Sequence, residues 1–141
     1  MINTPNPKDI VEAMLKNDHF SKWLKVDLIE ISIGKCKLGL TVTQLMLNGF
    51  NIAHGGISYS LADSCLAFAA NSYGFKCVSI ETSIEHKIKV TQNEYLIAEA
   101  KEIKRDEKIA RYDVHVTNKE NQLVAYFKGT VHISTKKWEL Q

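Results

Sequence analysis

The segment His-Gly-Gly-Ile-Ser-Tyr-Ser-Leu-Ala-Asp, residues 54–63, decides how this chain folds and what chemistry it can support. Its two glycines open a run of apolar and small polar residues, 57–73, that is typical of a buried helix. Backbone N–H groups at a helix start have no partner within the helix and carry the positive end of its dipole. They can therefore hold a carbonyl oxygen that is becoming an oxyanion, and glycine lets a substrate approach them closely.

Asp63 is the one charged side chain of this predicted helix. Burying a carboxylate is costly unless something compensates, so its presence suggests acyl chemistry with Asp63 as general base or nucleophile. Eight residues at a rise of roughly 1.5 Å place Asp63 about 12 Å along the helix from Gly55, whereas a base must come within about 3 Å of the reacting atom. Two antiparallel copies of the helix could bring the two groups together. We therefore predict an active site shared across a homodimer interface.

Length and composition bound the class of protein. The 141 residues predict one domain, 1–141, in which 1–22 form an N-terminal helical segment. The formal net charge of +2 argues against a nucleic-acid partner that depends on dense phosphate neutralisation. The N-terminus lacks an apolar signal segment, and no run approaches the ~18 apolar residues of a membrane span. Three cysteines without CxxC spacing are typical of reduced core thiols, so we expect a cytoplasmic protein.

The hydrophobic periodicity predicts an α+β order, in which a curled antiparallel sheet wraps around one long central helix and a short helix precedes it. Turn signals separate the elements, and Asn48-Gly49 marks a loop over 44–53. The predicted helices cover 7–17 and 57–73. The predicted strands lie within 26–42, 78–90, 95–103, 109–117 and 123–134.

Several short motifs also stand in a distinctive order along the chain. They are Asn48-Gly49, His54-Gly55-Gly56, Leu61-Ala62-Asp63, Ala69-Ala70-Asn71-Ser72 before Gly74, Val78-Ser79-Ile80, and Ala125-Tyr126-Phe127-Lys128-Gly129. Their joint order and spacing, from roughly residue 23 to residue 134, resemble the hotdog-fold thioesterases of the phenylacetyl-CoA (PaaI) type.

The resemblance implies an enzyme that hydrolyses aryl- or medium-chain acyl-CoA thioesters, with a link to phenylacetate degradation. Coenzyme A would be part of the substrate, with no separate cofactor and no metal. The resemblance also implies dimers that pair their sheets edge to edge and, in many members, homotetramers. In this pattern Asp63 is general base or nucleophile, the Gly55 N–H polarises the thioester carbonyl, and Asn48 is the loop asparagine of the site. Ser79 occupies the position of a serine or threonine that relatives use.

For the other candidate residues, a structural or solvent-exposed role is an alternative to a role in the site. His54 is interpreted as an organiser of the helix start within the site, although it could act as an acid or base. Lys87, Arg105 and Lys108 could bind coenzyme A phosphates, but such residues mostly form a solvated face. The chain has His86-Lys87-Ile88-Lys89-Val90 where many members of the family have an Arg-Pro turn.

Two other candidate sites, a histidine metal site and a cysteine–histidine catalytic pair, are disfavoured by the sequence. A metal site formed by the strand histidines, His86, His115 and His132, lacks any short ligand spacing, so scattered sheet histidines are favoured. A Cys65–His54 catalytic pair is disfavoured because Cys65 lies on the apolar helix face.

Two other functions stay open. One is a hotdog hydratase or dehydratase acting on enoyl or β-hydroxyacyl thioesters, with His54 and Asp63 paired across subunits. The other is a non-catalytic acyl-CoA-binding module, although only about 25 residues precede the first predicted strand, too few for an output domain. The sequence leaves open the acyl group, the route taken by Asp63 and the arrangement of any tetramer.

Overall fold

The computed structural model describes residues 4–140, so residues 1–3 of the predicted N-terminal segment and residue 141 lie outside the described part. The predicted helices and strands are confirmed, with shifts at some ends. The helices are α1 (Pro7–Asn17), α2 (His19–Leu24), the 3-10 turn Gln44–Met46 and α3 (Gly55–Asn71). The strands are β1 (Asp27–Ser32), β2 (Lys35–Thr41), β3 (Phe75–His86), β4 (Tyr95–Arg105), β5 (Ile109–Thr117) and β6 (Leu123–Lys137).

All strand pairings are antiparallel, and the strand order is β1-β2-β4-β5-β6-β3. Helix α3 packs against every strand of this sheet, and its buried residues include Leu61, Cys65, Leu66 and Phe68. A helix that is apolar on most of its surface must be covered on several sides, which a curled sheet achieves. The expected α+β fold with a sheet wrapped around a central helix is confirmed.

Helix α2 was not predicted. It has only six residues, too few for a helical period to be visible, and Asp18 caps it by accepting a hydrogen bond from the Ser21 N–H at 2.9 Å. The Ser21 hydroxyl also lies 3.1 Å from the hydroxyl of Ser64 on α3. Helix α2 therefore ties the N-terminal segment to the central helix.

Several predicted boundaries were wrong, and two of them lie at the start of α3 and at the end of β3. The central helix begins at Gly55 rather than Ile57, because His54 caps it. The strand expected over 78–90 ends at His86, since the backbone N–H groups of Lys87 and Ile88 both donate to the carbonyl of Val124. That double hydrogen bond ends the regular ladder, and the chain then passes the loop before α3, where the Ala53 N–H donates to the Val90 carbonyl at 2.7 Å.

A close approach of helix and sheet at Gly129 predicts a stability effect. A Cβ at Gly129 on β6 would overlap Cδ1 of Leu66 on α3. We expect Gly129→Ala to lower the free energy of unfolding by about 1–3 kcal/mol, because Leu66 would have to leave its packed position. Denaturant unfolding measures this change. Gly49→Ala is the matched control, since a Cβ there has no neighbour within 4 Å, and equal unfolding midpoints for the two variants would contradict the prediction.

Candidate active site

The start of α3 presents a free backbone donor. His54 is the N-cap, and its Nδ1 accepts a hydrogen bond from the Gly56 N–H at 2.8 Å. Its carbonyl accepts from the Ile57 N–H at 2.9 Å. Within residues 4–140 the N–H of Gly55, which precedes these two N–H groups in the chain, has no acceptor. The helix therefore offers one unused N–H at the positive end of its dipole.

The loop before α3 fixes Asn48 beside this donor. Oδ1 of Asn48 accepts from the Phe50 N–H at 2.9 Å, and the Asn48 N–H donates to the Ile52 carbonyl at 2.8 Å. The His54 N–H donates to the Met46 carbonyl at 2.8 Å, which closes the loop against the helix start. Because Oδ1 is used within the loop, the side-chain NH₂ of Asn48 is the group left to donate to a ligand.

Asn48 and Gly55 line one pocket of about 330 Å³. Its wall is completed by Ser58 of α3 and by the segment that follows β3. Lys87 in that segment lines the pocket and forms an ion pair with Glu85, Nζ to Oε2, at 3.0 Å. The structure thus brings together three of the predicted site residues: Asn48, Gly55 and Lys87.

Asp63 lies outside this pocket, two turns further along α3. Its side chain is half-buried, and this burial raises the pKa of the carboxyl above its usual range. No donor in the described part of the chain satisfies the carboxylate through a hydrogen bond. A partly desolvated carboxylate without a partner is suited to accept a proton or to attack a carbonyl carbon.

Asp63 and Ser79 both belong to the strip where α3 packs against the edge strand β3, between two contacts that join the helix to the strand. One end of the strip is set by the hydrogen bond between the hydroxyls of Tyr59 and Thr82. The other end is set by Asn71, whose Oδ1 accepts from the Cys77 N–H at 2.9 Å. Between these contacts Ser79 pairs with the buried Val131, which puts the exposed Ser79 side chain on the helix side of β3. A β-bulge follows Ser79 and changes the face of the residues beyond it.

Arg105 and Lys108 lie at the opposite end of α3 from the pocket. The Arg105 guanidinium stacks on the Tyr73 ring at 3.7 Å and donates to the Ala70 carbonyl at 3.4 Å. Ala70 is fifteen residues after Gly55, about 22 Å along the helix axis. Lys108 is in the β4–β5 turn, where its backbone N–H donates to the Asp106 carboxylate at 2.8 Å. Contact of either residue with coenzyme A stays a prediction.

The Cys65–His54 pair and the histidine cluster do not form. Cys65 is fully buried, and its thiol donates to the carbonyls of Cys36 and Ala98. His115 is exposed on the outer face of the sheet, where its ring lies tilted against the ring of Tyr126. The groups needed for a metal centre, at least three clustered His, Cys, Asp or Glu side chains, do not occur in the described residues.

A larger cavity of about 640 Å³ lies beside Trp23 and Leu45. None of the predicted site residues lines it.

Across residues 4–140 every helix is too short or too polar to span a bilayer.

His86 is the pocket residue that sequence reasoning missed. Nε2 of His86 lies 3.1 Å from the position a Cβ would take on Gly55. A signal was available, because Thr82, Ile84 and His86 alternate on one face of β3, and an antiparallel strand after α3 returns to the helix start. The sequence comparison with the family noted that His86-Lys87-Ile88-Lys89-Val90 replaces the Arg-Pro turn of many members, but it gave His86 no role in the reaction.

Comparison with known proteins agrees with this architecture. Residues 50–125 match the family model described as the thioesterase superfamily. The chain is 34% identical to the acyl-coenzyme A thioesterase PaaI of Escherichia coli K12, over 85% of this chain and 86% of that protein. The E. coli PaaI structure, from the phenylacetic acid degradation operon, superposes with a TM-score of 0.90 at 31% identity, over 93% of this chain and 95% of that one.

A Streptococcus mutans protein solved with bound acetyl-CoA superposes with a TM-score of 0.77 at 25% identity, over 80% of this chain and 91% of that one. The matched segment contains the helix start, Asp63 and β3, which are the elements that build the site. On these grounds the chain belongs to the thioesterase superfamily, as a hotdog-fold thioester hydrolase of the PaaI type.

Proposed function

We propose that this protein hydrolyses aryl- or medium-chain acyl-CoA thioesters to the free acid and coenzyme A. The observation that carries the proposal is the unused N–H of Gly55 at a helix start, beside Asn48 and above a pocket. The names of the E. coli and S. mutans relatives support coenzyme A as the carrier, and the operon named for the E. coli structure favours an arylacetyl group.

The reaction needs a group from a second subunit. Asp63 stands about 12 Å along the helix from Gly55, too far to act on a carbonyl held by the same subunit. Among residues 4–140 no strand pairs with the outer edge of β3, and its Val78 and Ile80 side chains are 66% and 59% exposed. An apolar sheet edge of this kind is suited to pairing with the same strand of a second copy, which would align the two α3 helices antiparallel.

In this dimer each site combines the Gly55 N–H of one subunit with Asp63 of the other. The thioester carbonyl accepts from the Gly55 N–H and from the Asn48 side chain. Asp63 either takes a proton from water as the water oxygen attacks the carbonyl carbon, or attacks that carbon itself to give a mixed anhydride that water then hydrolyses. In both routes the C–S bond breaks, and the sulfur leaves as the coenzyme A thiolate. Ser79, on the strip beside Asp63, orients the water or the carboxylate.

The remaining residues assist binding. Lys87, at the pocket wall, and Arg105 and Lys108, at the far end of α3, would meet the phosphates of coenzyme A across the dimer. His54 holds the first turn of α3 in place.

Assembly to a homotetramer, a cytoplasmic location and a place in phenylacetate degradation belong to the same proposal.

Loss of the Asp63 charge tests the mechanism. We expect Asp63→Asn to reduce kcat by about 10²–10⁴-fold, because the amide neither accepts the water proton nor attacks the carbonyl. The measurement is thiol release from a panel of acyl-CoAs, with circular dichroism to verify folding. Equal thiol release by the two proteins would assign Asp63 a structural role. Loss of enoyl absorbance without thiol release would instead support the hydratase alternative, and binding without any turnover would support the binding module.

The raised pKa of Asp63 gives a pH prediction. Activity requires the carboxylate, so we expect the acid limb of the kcat/KM profile to lie above the usual range of an aspartate. Ionisation of Asp63 should lower the free energy of unfolding, because folding disfavours the charged form. This effect is opposite to that of an ion-paired carboxyl, whose ionisation stabilises the fold. Wild type should therefore be less stable than Asp63→Asn at neutral pH, and the difference should vanish below the unfolded-state pKa. An acid limb within the ordinary aspartate range would count against this account.

The Gly55 N–H can be removed without breaking the helix. Gly55 is the first residue of α3, where proline is favoured, and His54 already has the extended backbone that a following proline requires (φ −57°, ψ 139°). We expect Gly55→Pro to lower kcat by about 10²–10³-fold relative to Gly55→Ala, which keeps the N–H but adds a Cβ.

Both substitutions crowd His86, so their comparison isolates the donor. Equal kcat values for the two variants, with normal folding of both, would remove Gly55 from the oxyanion site.

A further inference from the structure

His86 is placed at the helix start by the topology of the chain. Strand β3 runs antiparallel to the preceding α3, so its last residue returns to the level of Gly55. His86 pairs with the small, buried Ala125 on β6, which places its ring on the helix side of the sheet. The double hydrogen bond from Lys87 and Ile88 to Val124 ends the strand directly after it. Backbone pairing therefore fixes the Cα of His86 and the face of the sheet from which its exposed side chain projects.

The ring has an unused polar edge beside the proposed oxyanion donor. Nε2 and Cε1 of His86 lie 3.1 and 3.4 Å from the position that a Cβ would take on Gly55, and His86 lines the same pocket as Gly55 and Asn48. Its imidazole forms no hydrogen bond or ion pair to any residue between 4 and 140. The neighbouring carboxylate of Glu85 is occupied by Lys87.

We propose that His86 is a catalytic residue whose Nε2–H donates a second hydrogen bond to the thioester carbonyl oxygen, alongside the Gly55 N–H; this inference rests on the proposed function. As the nucleophile adds, the carbonyl π electrons move to oxygen, and the two donors stabilise the resulting oxyanion. The C=O bond re-forms as the thiolate leaves, and His86 neither gains nor loses a proton. Glycine at position 55 keeps the imidazole next to the helix start, since any Cβ there would press on the ring.

Three variants separate hydrogen-bond donation from ring shape. His86→Phe keeps a planar ring and removes the donor, whereas His86→Gln keeps an N–H donor without the ring. His115→Phe is the matched control, because His115 is a strand histidine on the outer face of the sheet, beside the Tyr126 ring, and does not line the pocket. We expect kcat for thiol release to fall about 10²-fold in His86→Phe with little change in KM, to recover in large part in His86→Gln, and to stay unchanged in His115→Phe.

A second readout is independent of turnover. A ketone analogue of phenylacetyl-CoA, with a methylene in place of the sulfur, carries a carbonyl whose stretching frequency falls when it accepts hydrogen bonds. We expect this frequency, measured by infrared difference spectroscopy with a ¹³C label, to be lower when the analogue is bound to wild type or His86→Gln than when bound to His86→Phe.

The outcomes distinguish the two proposals. Equal frequencies and equal kcat values in wild type and His86→Phe would overturn the role of His86 while leaving the thioesterase proposal standing. A His86→Gln variant as defective as His86→Phe in both readouts would also overturn it, because the ring shape would then be what matters. A wild type that releases no thiol but lowers the carbonyl frequency through His86 would refute hydrolysis and retain the donor.

Discussion

The burial of α3 inside the curled sheet is the constraint on which the rest of the structure depends. Every strand of the sheet packs against this helix, and Gly129 on β6 lets Leu66 approach the sheet backbone directly. Close-packed protein cores resist small displacements, so the start of the helix is held in one position relative to the strand ends. The loop before α3 and the end of β3 meet at that start. The pocket is therefore a consequence of how the helix is covered.

The two ends of α3 are treated differently. At the C-terminal end the carbonyls are satisfied, since Ser72 Oγ donates to the Ala69 carbonyl at 2.6 Å and Arg105 donates to that of Ala70. A cation at this position also complements the helix dipole. At the N-terminal end His54 satisfies the Gly56 N–H, whereas the Gly55 N–H has no acceptor in the described part of the chain. The C-terminal end of α3 therefore carries the stabilising contacts, and the N-terminal end offers a backbone N–H for a ligand.

The sequence was sufficient for the parts of the structure that follow from periodicity and backbone chemistry. Alternating strands, the apolar helix and the Gly55–Asp63 spacing could be predicted because each depends on neighbouring residues alone. Helix α2 was not predicted because six residues are too few to show a helical period. The end of β3 was not predicted because it depends on hydrogen bonds to Val124, which is distant in sequence. His86 was missed for a related reason. Its contact with Gly55 spans 31 positions and exists only once β3 has folded back along α3.

The edge strand β3 links both halves of the proposed site. Its last residue stands at the helix start, and its middle carries Ser79 on the strip beside Asp63, so one strand faces an oxyanion donor and a carboxylate that are about 12 Å apart. In a two-fold dimer each contact occurs twice, because residue i of one subunit meets residue j of the other and the reverse. Pairing through β3 would therefore complete two equivalent sites at once. The unpartnered Asp63 carboxylate and the apolar edge at Val78 and Ile80 are then explained together, since the single chain leaves both incomplete and the same association supplies what each lacks.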